Sequence, residues 1–111
     1  MNDTQDYLPV KSTVFLILLA IAEQPKHGYA ITQEVYQRSG GTVDLGTSHL
    51  YRHLKKLLDD RIVEETEPAR SDDDPRRRYY RLTRLGRDVV RAESARLKAL
   101  LEQSKRLGFV R

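Results

Sequence analysis

The sequence contains no cysteine and no tryptophan, and its apolar runs are short. Without cysteine, the chain can form no disulfide, no thiolate metal site and no cysteine nucleophile. The longest apolar run, Val14–Ala22, has nine residues. A membrane-spanning helix needs about 20, and the flanks of this run lack a signal-peptide cleavage pattern. We therefore expect a cytoplasmic protein that is neither secreted nor embedded in a membrane.

The net charge of +4 conceals a segregation of acidic and basic residues. Residues 59–74 include eight acidic and two basic side chains, whereas residues 76–91 include seven arginines and one acidic side chain, Asp88. If the chain folds back between these blocks, their charges partly neutralise each other and form an ordinary solvated face. If it does not, the arginines form a positive surface that can release counterions from nucleic acid.

The length of 111 residues predicts one compact domain, because domains cluster near about 100–150 residues. Pro9 suits the first turn of a helix, which we predict as far as Glu23. Further helices are predicted over residues 29–38, 47–60 and 83–107, with an extended segment over 42–45 and strands over 62–66 and 76–82. Thr83 is the expected cap of the last helix, and Gly108 is expected to end it.

This order of elements predicts a fold that is mainly α with a small β-hairpin wing. It is the order of a winged helix-turn-helix followed by a long C-terminal dimerisation helix. We assign residues 1–8 to a flexible N-terminal arm, 9–82 to the winged-helix DNA-binding domain, 83–107 to the dimerisation helix and 108–111 to a tail.

The third predicted helix is amphipathic. At about 100° per residue, its leucines fall within one arc that packs on the domain. The opposite arc carries side chains that donate hydrogen bonds or are positively charged, with His53 at its margin: Ser48, His49, Arg52, Lys55 and Lys56. No carboxylate precedes Asp59 in this helix. Such a face favours an anionic partner, and the major groove of duplex DNA admits a helix.

Two helices have more apolar surface than one small domain can cover. The first is apolar on almost every side, and the last extends beyond the expected domain, with Glu93 and Ser104 interrupting its apolar stripe. A second copy of the chain is the simplest partner for this surface. The candidate dimer contacts are Phe15, Leu18, Leu19, Val90, Leu97, Leu100, Leu101 and Leu107.

A Tyr-Tyr-Arg-Leu-Thr-x-x-Gly-Arg element follows the predicted wing, and a His-Gly-Tyr turn precedes the second helix. With the segments at 16–22, 39–41, 50–52 and 54–57, these motifs resemble the PadR family of bacterial transcriptional regulators, over roughly residues 8–101. The resemblance implies a homodimeric winged-helix repressor that binds an inverted-repeat operator. Relatives that sense drugs or phenolic acids imply a small-molecule effector between helix one and the partner's last helix, although the absence of tryptophan makes a flat aromatic ligand less obvious.

The chain departs from the family pattern at two places. Where many relatives have Pro-Gly-Thr before Leu-Tyr, this chain has Thr47-Ser48-His49, so an operator borrowed from a relative is not expected to transfer. Where relatives usually end the third helix with glycine, this chain has Arg61. Arg61 must therefore adopt a left-handed conformation at some cost, unless the helix ends differently.

The candidate DNA contacts lie on three elements. On the recognition helix, the first residues are candidates for contacts with base edges and the later ones for contacts with phosphates. The tyrosine ring is expected to pack while its hydroxyl contacts a phosphate. These candidates are Thr47, Ser48, His49, Tyr51, Arg52, Lys55 and Lys56. The wing and the start of helix two supply further candidate phosphate contacts: Arg76, Arg77, Arg78, Tyr79, Lys26, His27 and Tyr29.

The spacing of histidines and acidic residues does not fit the metal-binding or catalytic motifs that we considered. His49 and His53 are four residues apart, but the segment between them lacks the glutamate of the metalloprotease motif. The run Asp72-Asp73-Asp74 has no glycine or distal glutamate at EF-hand spacing. We therefore expect neither a metal nor a cofactor, and no enzyme activity. The alternatives to a DNA-binding regulator are a ligand sensor and a winged-helix module for protein interaction, each with secondary DNA contact.

Overall fold

The computed structural model describes residues 4–68 and 77–111. These form a short 3-10 turn, four helices and three strands. The helices are α1 (Ser12–Ala20), α2 (Gly28–Arg38), α3 (Thr47–Asp59) and α4 (Arg84–Arg106), and the strands are β1 (Lys26–His27), β2 (Val63–Thr66) and β3 (Tyr79–Leu82). The predicted fold class, mainly α with a β-hairpin wing, is confirmed. Residues 69–76 of the loop between β2 and β3, which include the candidate phosphate contact Arg76, lie outside the described residues.

The first helix is shorter than predicted at both ends. Lys11 has extended backbone angles, so α1 begins at Ser12 rather than at Pro9. It ends at Ala20. The N–H groups of Ile21 and Ala22 then donate hydrogen bonds to carbonyls three residues earlier in the chain. Residues Thr4–Tyr7, which we expected in a flexible arm, form a 3-10 turn that lies against α4.

The core is built from α1, α2, α3 and the inner face of the sheet, with partly buried residues of α4 packed against it. Its side chains are almost wholly buried: Ile17, Leu18, Ala20, Ile21, Ile31, Val35, Leu50, Leu54, Leu57, Ile62, Val63, Tyr80 and Leu82. Burying an aliphatic side chain of this size stabilises a fold by about 1.5–3 kcal/mol. The assignment of Leu18 to the dimer interface is wrong, because its side chain is wholly buried in the core of its own chain.

The sheet has one strand more than the sequence predicted. Its order is β1-β3-β2, with both pairs antiparallel, and β1 pairs Lys26 with Tyr80 and His27 with Tyr79. The predicted extended segment at 42–45 takes no part in it. A strand of two residues has no alternation of apolar and polar positions, so the sequence carried no signal for β1.

A tight reversal joins α3 to the wing. Arg61 has a φ of 59°, in the left-handed region, and its N–H donates to the carbonyl of Leu58. The expectation that Arg61 adopts this conformation is confirmed. Since a side chain raises the energy of left-handed backbone, the backbone at Arg61 is slightly strained.

The long helix α4 begins and ends as predicted. The Thr83 hydroxyl accepts a hydrogen bond from the Gly86 N–H at 3.0 Å, and Gly108 ends the helix with a φ of 88°. Its 23 residues extend about 35 Å. Within the described ranges, no helix is long and apolar enough to cross a membrane.

A buried ion pair attaches the N-terminal segment to α4. Glu93, only 1% exposed, accepts hydrogen bonds from Arg96 at 2.7 and 2.6 Å and from the Val10 N–H at 3.3 Å. The Arg96 guanidinium holds the pKa of Glu93 below its ordinary value, against the opposing effect of burial. Glu93, predicted only to interrupt an apolar stripe, instead anchors the N-terminal segment to α4.

Replacing Arg61 with glycine should raise the free energy of unfolding by about 0.5–1 kcal/mol, because glycine adopts positive φ without steric cost. Urea unfolding measures the change. Arg61→Ala is the control, since it removes the charged side chain but keeps Cβ, and it should give no gain. A gain in Arg61→Ala equal to that in Arg61→Gly would show that the backbone at Arg61 is not strained.

Replacing Glu93 with glutamine should lower the free energy of unfolding at pH 7 by about 1–3 kcal/mol, because glutamine has no charged acceptor for the hydrogen bonds of Arg96. The folded pKa of Glu93 is depressed, so its contribution is complete above the unfolded value and is lost as the pH falls through the folded one. The deficit of Glu93→Gln should therefore shrink below about pH 4. Urea unfolding across pH, with exposed Glu102→Gln as control, tests this; a pH-independent deficit contradicts it.

Candidate nucleic-acid interface

The two faces of α3 separate as the sequence predicted. Leu50, Leu54 and Leu57 are buried in the core. The opposite side chains are exposed and form what we call the recognition face: Ser48, His49, Arg52, Lys55 and Lys56. The side chains of Lys55 and Lys56 are 79% and 77% exposed. The packing of the leucines thus determines that the cationic side of the helix faces outward.

The start of α3 is also open. Thr47, Ser48 and His49 are exposed, and Gly46, the N-cap residue, provides no side-chain hydrogen bond to the helix. The first N–H groups of a helix have no partner within it and carry a partial positive charge. This end of α3 can therefore donate backbone hydrogen bonds to an anionic partner.

His53, at the margin of the recognition face, is half-buried. Burial lowers its pKa from the ordinary value, and the positive charges of Lys11, His49 and Arg52 lower it further. The ring therefore favours its neutral form near pH 7. His53 therefore adds little to the positive charge that the arginine and lysines give to α3.

The cations of α3 are paired with acids one helical turn away. Lys55 lies 3.2 Å from the carboxylate of Asp59, and Lys56 lies 3.0 Å from that of Asp60. Exposed pairs of this kind contribute about 0.2–1 kcal/mol and are screened by salt. Such weak pairs can be exchanged for a phosphate at little cost.

The acidic and arginine-rich blocks meet across the wing. Glu64 pairs with Arg81 in the strand register and lies 3.0 Å from it, and Arg78 lies 3.6 Å from Glu65. Both interpretations of the charge segregation, mutual neutralisation and a positive arginine surface, are therefore partly right. The chain folds back and pairs some charges, while Arg77 and Arg78 remain exposed on the outside.

Tyr51 connects α3 to the start of α2. Its side chain is 45% exposed, and its hydroxyl lies so close to Gly28 that a Cβ there would be 2.8 Å from the oxygen. Gly28 is therefore needed for this approach. Tyr29, the next residue, is exposed. The His-Gly-Tyr turn thus places Tyr29 near Tyr51, and the Tyr29 hydroxyl accepts a hydrogen bond from Gln33 at 3.1 Å.

Two of the predicted phosphate contacts are structural instead. Lys26 donates to the carbonyl of Ala20 at 2.5 Å and lies 3.3 Å from Glu34, so its ammonium ion closes the end of α1. Tyr79 is only 4% exposed, because β3 is the central strand and its ring packs edge-on against His27 with centroids 5.5 Å apart. In this conformation both side chains are engaged within the chain.

His27 has a structural role at the start of α2. Its Nδ1 accepts a hydrogen bond from the Ala30 N–H at 3.3 Å, which caps α2. Its Nε2 lies 2.9 Å from the Arg77 guanidinium. The ring therefore lies between the start of α2 and the base of the wing, with Arg77 beside it.

The candidate dimer residues fall into three groups. Leu18 is in the core, while Phe15, Leu19 and Val90 are half-buried. The rest are exposed along the outer half of α4: Leu97, Leu100, Leu101 and Leu107. Phe109, which was not among the dimer candidates, is 80% exposed beyond the end of α4. The exposed apolar surface is thus concentrated at one end of the long helix.

The fold has close counterparts among solved structures. A PadR family transcription regulator from Clostridium difficile aligns with a TM-score of 0.72 at 18% identity, over 87% of this chain and 98% of that one. A PadR-like transcriptional regulator from Bacillus cereus gives a TM-score of 0.72 at 19% identity, over 85% of this chain and 88% of that one. At these identities, the likeness establishes the fold.

Sequence comparison reaches further. Uncharacterized protein X of Lysinibacillus sphaericus is 32% identical over 72 residues, which span 65% of this chain and 65% of that protein. The model of the transcriptional regulator PadR-like family matches residues 17–92, from the core of α1 through the wing into α4. The chain therefore belongs to the PadR-like family of transcriptional regulators, which are DNA-binding proteins and not enzymes.

Proposed function

We propose that this protein is a homodimeric repressor that binds an inverted-repeat operator in duplex DNA. The observation that carries the proposal is the exposed recognition face of α3, which has no carboxylate before Asp59 and lies opposite leucines locked in the core. A helix of this kind can enter the major groove without moving any buried side chain.

The recognition residues divide by their place on α3. Ser48, His49 and Arg52 lie in its first half, where a recognition helix sits deepest, so we assign them to base edges. Lys55 and Lys56, together with Arg77 and Arg78, are assigned to phosphates, which fix register and affinity without encoding sequence. The Tyr51 hydroxyl, which lies at the start of α2, is assigned as a hydrogen-bond donor to a further phosphate.

The outer half of α4 supports a dimer. Leu100, Leu101 and Leu107 are exposed on a helix about 35 Å long, and monomeric proteins rarely expose contiguous apolar surface of this kind. Pairing two copies through α4 buries these leucines and provides two recognition helices for an operator with two-fold symmetry.

Selection of bound duplexes from a random pool is the experiment that tests the proposed function. It should recover a palindrome whose half-sites are centred about one helical turn, or a whole number of turns, apart. Recovery of a single unsymmetrical site would contradict the dimer. Absence of any enrichment would contradict sequence-specific binding.

Removing the wing cations by Arg77→Ala with Arg78→Ala should weaken binding to all duplexes similarly, because phosphate contacts carry no sequence information. The slope of log K against log salt should fall by about 0.9 for each phosphate that the variant no longer neutralises. Titrations at several salt concentrations measure this. The control is Arg91→Ala with Arg106→Ala, which removes the same charge from α4. An equal change in slope for both pairs would mean that only net charge matters.

Replacing Arg52 with alanine should relax base preference at one position of each half-site, because a good base contact discriminates by about 1–3 kcal/mol. Competition between the selected duplex and single-base variants measures this preference. Lys55→Ala, one turn along, is the control and should lower affinity without changing preference. The assignment fails if Arg52→Ala retains the full base preference.

A second candidate function, sensing of a small molecule, is favoured by one observation. A cavity of about 310 Å³ lies between the N-terminal segment, α1 and α3, with Tyr7, Val14, Leu57 and His53 among its lining residues. This volume is at the lower end of the range for ligand pockets. Small cyclic apolar compounds should raise the melting temperature in the absence of DNA, and Val14→Trp should abolish the rise. No rise with any compound would remove this function.

A further inference from the structure

Four parts of the molecule meet at one point, which we call the junction and define as Arg61, Ile62, Thr83 and Gly86. The recognition helix α3 ends just before it, and β2 leaves it at Val63. The last wing strand, β3, returns to it at Leu82, and α4 departs from it. The path from the recognition face to the long helix therefore passes through these four residues.

Thr83 makes hydrogen bonds to both sides of the junction. Its hydroxyl donates to the carbonyl oxygen of Arg61 at 2.6 Å, with the oxygen of Ile62 at 3.1 Å sharing the proton. Its N–H donates to the same Ile62 oxygen at 3.1 Å. The hydroxyl also accepts from the Gly86 N–H at 3.0 Å, which caps α4. One side chain thus joins the end of α3 to the beginning of α4.

Gly86 brings the two backbones into direct contact. A Cβ at this position would lie 2.1 Å from the carbonyl oxygen of Ile62, a separation that no side chain can occupy. The first turn of α4 therefore rests on the backbone of the α3–β2 connection. This close approach, together with the Thr83 bonds, fixes the angle between α3 and α4.

We propose that Thr83 is a positioning residue that sets the spacing between half-sites of the operator. The inference rests on the proposed function, because it requires two recognition helices held by α4. A rotation of about 5° at the junction would move the far end of a 35 Å helix by about 3 Å, close to the rise of one base pair. Small changes at Thr83 are therefore converted into changes of register along the duplex.

A capping role alone predicts something different. Loss of a cap destabilises α4 and lowers the melting temperature, but it leaves the preferred half-site spacing unchanged. A positioning role predicts a change in spacing preference. The two roles are separable, because Thr83→Asp retains an acceptor for the Gly86 N–H but has no proton to donate to the Arg61 and Ile62 carbonyls.

The experiment compares binding of the full chain to the selected palindrome and to the same duplex with its spacer one base pair longer or shorter. Wild type should prefer the original spacer. Thr83→Val and Thr83→Asp should lose about fivefold of that discrimination, the size of one typical hydrogen bond, whereas Thr83→Ser should retain it. Ile17→Val, a core change on α1 that removes no hydrogen bond of the junction, is the control for lowered stability and should also retain it.

Retention of the full spacing preference by a folded Thr83→Asp would overturn the proposal and leave the repressor function intact. The same loss in Ile17→Val would also overturn it, because the effect would then follow stability. Thr83→Asp keeps the helix cap, so the comparison holds even if Thr83→Val fails to fold. If wild type itself bound no palindrome, the proposed function would fail first, and the positioning role with it.

Discussion

The structure depends on the burial of the leucine face of α3. Leu50, Leu54 and Leu57 are almost wholly enclosed by α1, α2 and the sheet, and rotating the helix would expose all three at once. At about 1.5–3 kcal/mol for each side chain, this fixes the rotation of α3 more firmly than any surface contact could. The orientation of Arg52 and Lys55 toward solvent follows directly from the core.

Several charged side chains of the protein form weak ion pairs with each other that phosphates can replace. In the DNA-free chain, Lys55 and Lys56 pair with acids on the same helix, and Arg78 and Arg81 pair with acids across the wing. These pairs are exposed and weak, so phosphates can replace them. The pair of Glu93 with Arg96 is different, because its carboxylate is buried and also accepts a hydrogen bond from the N-terminal segment. The exposed pairs can therefore be exchanged for other partners, whereas the buried carboxylate of Glu93 stabilises the fold.

Much of this could be predicted from the sequence, where the signal was local or periodic. The two faces of α3 and the cap at Thr83 follow from residue type and spacing. The left-handed Arg61 was one of two alternatives left open by the resemblance to the PadR family. What could not be predicted depends on contacts between distant segments. Strand β1 exists only because β3 lies beside it, and the same pairing buries Tyr79. The buried state of Glu93 depends on a backbone N–H that lies 83 residues away.

The central claim is that two outward-facing copies of α3 bind one duplex from the same side. Hydroxyl-radical footprinting on the selected operator tests it most directly. The account predicts two protected tracts on one face of the DNA, centred about 34–36 Å or a multiple of that distance apart, and both should weaken together in Arg52→Ala. A single protected tract, or two tracts that Arg52→Ala leaves unchanged, would contradict it.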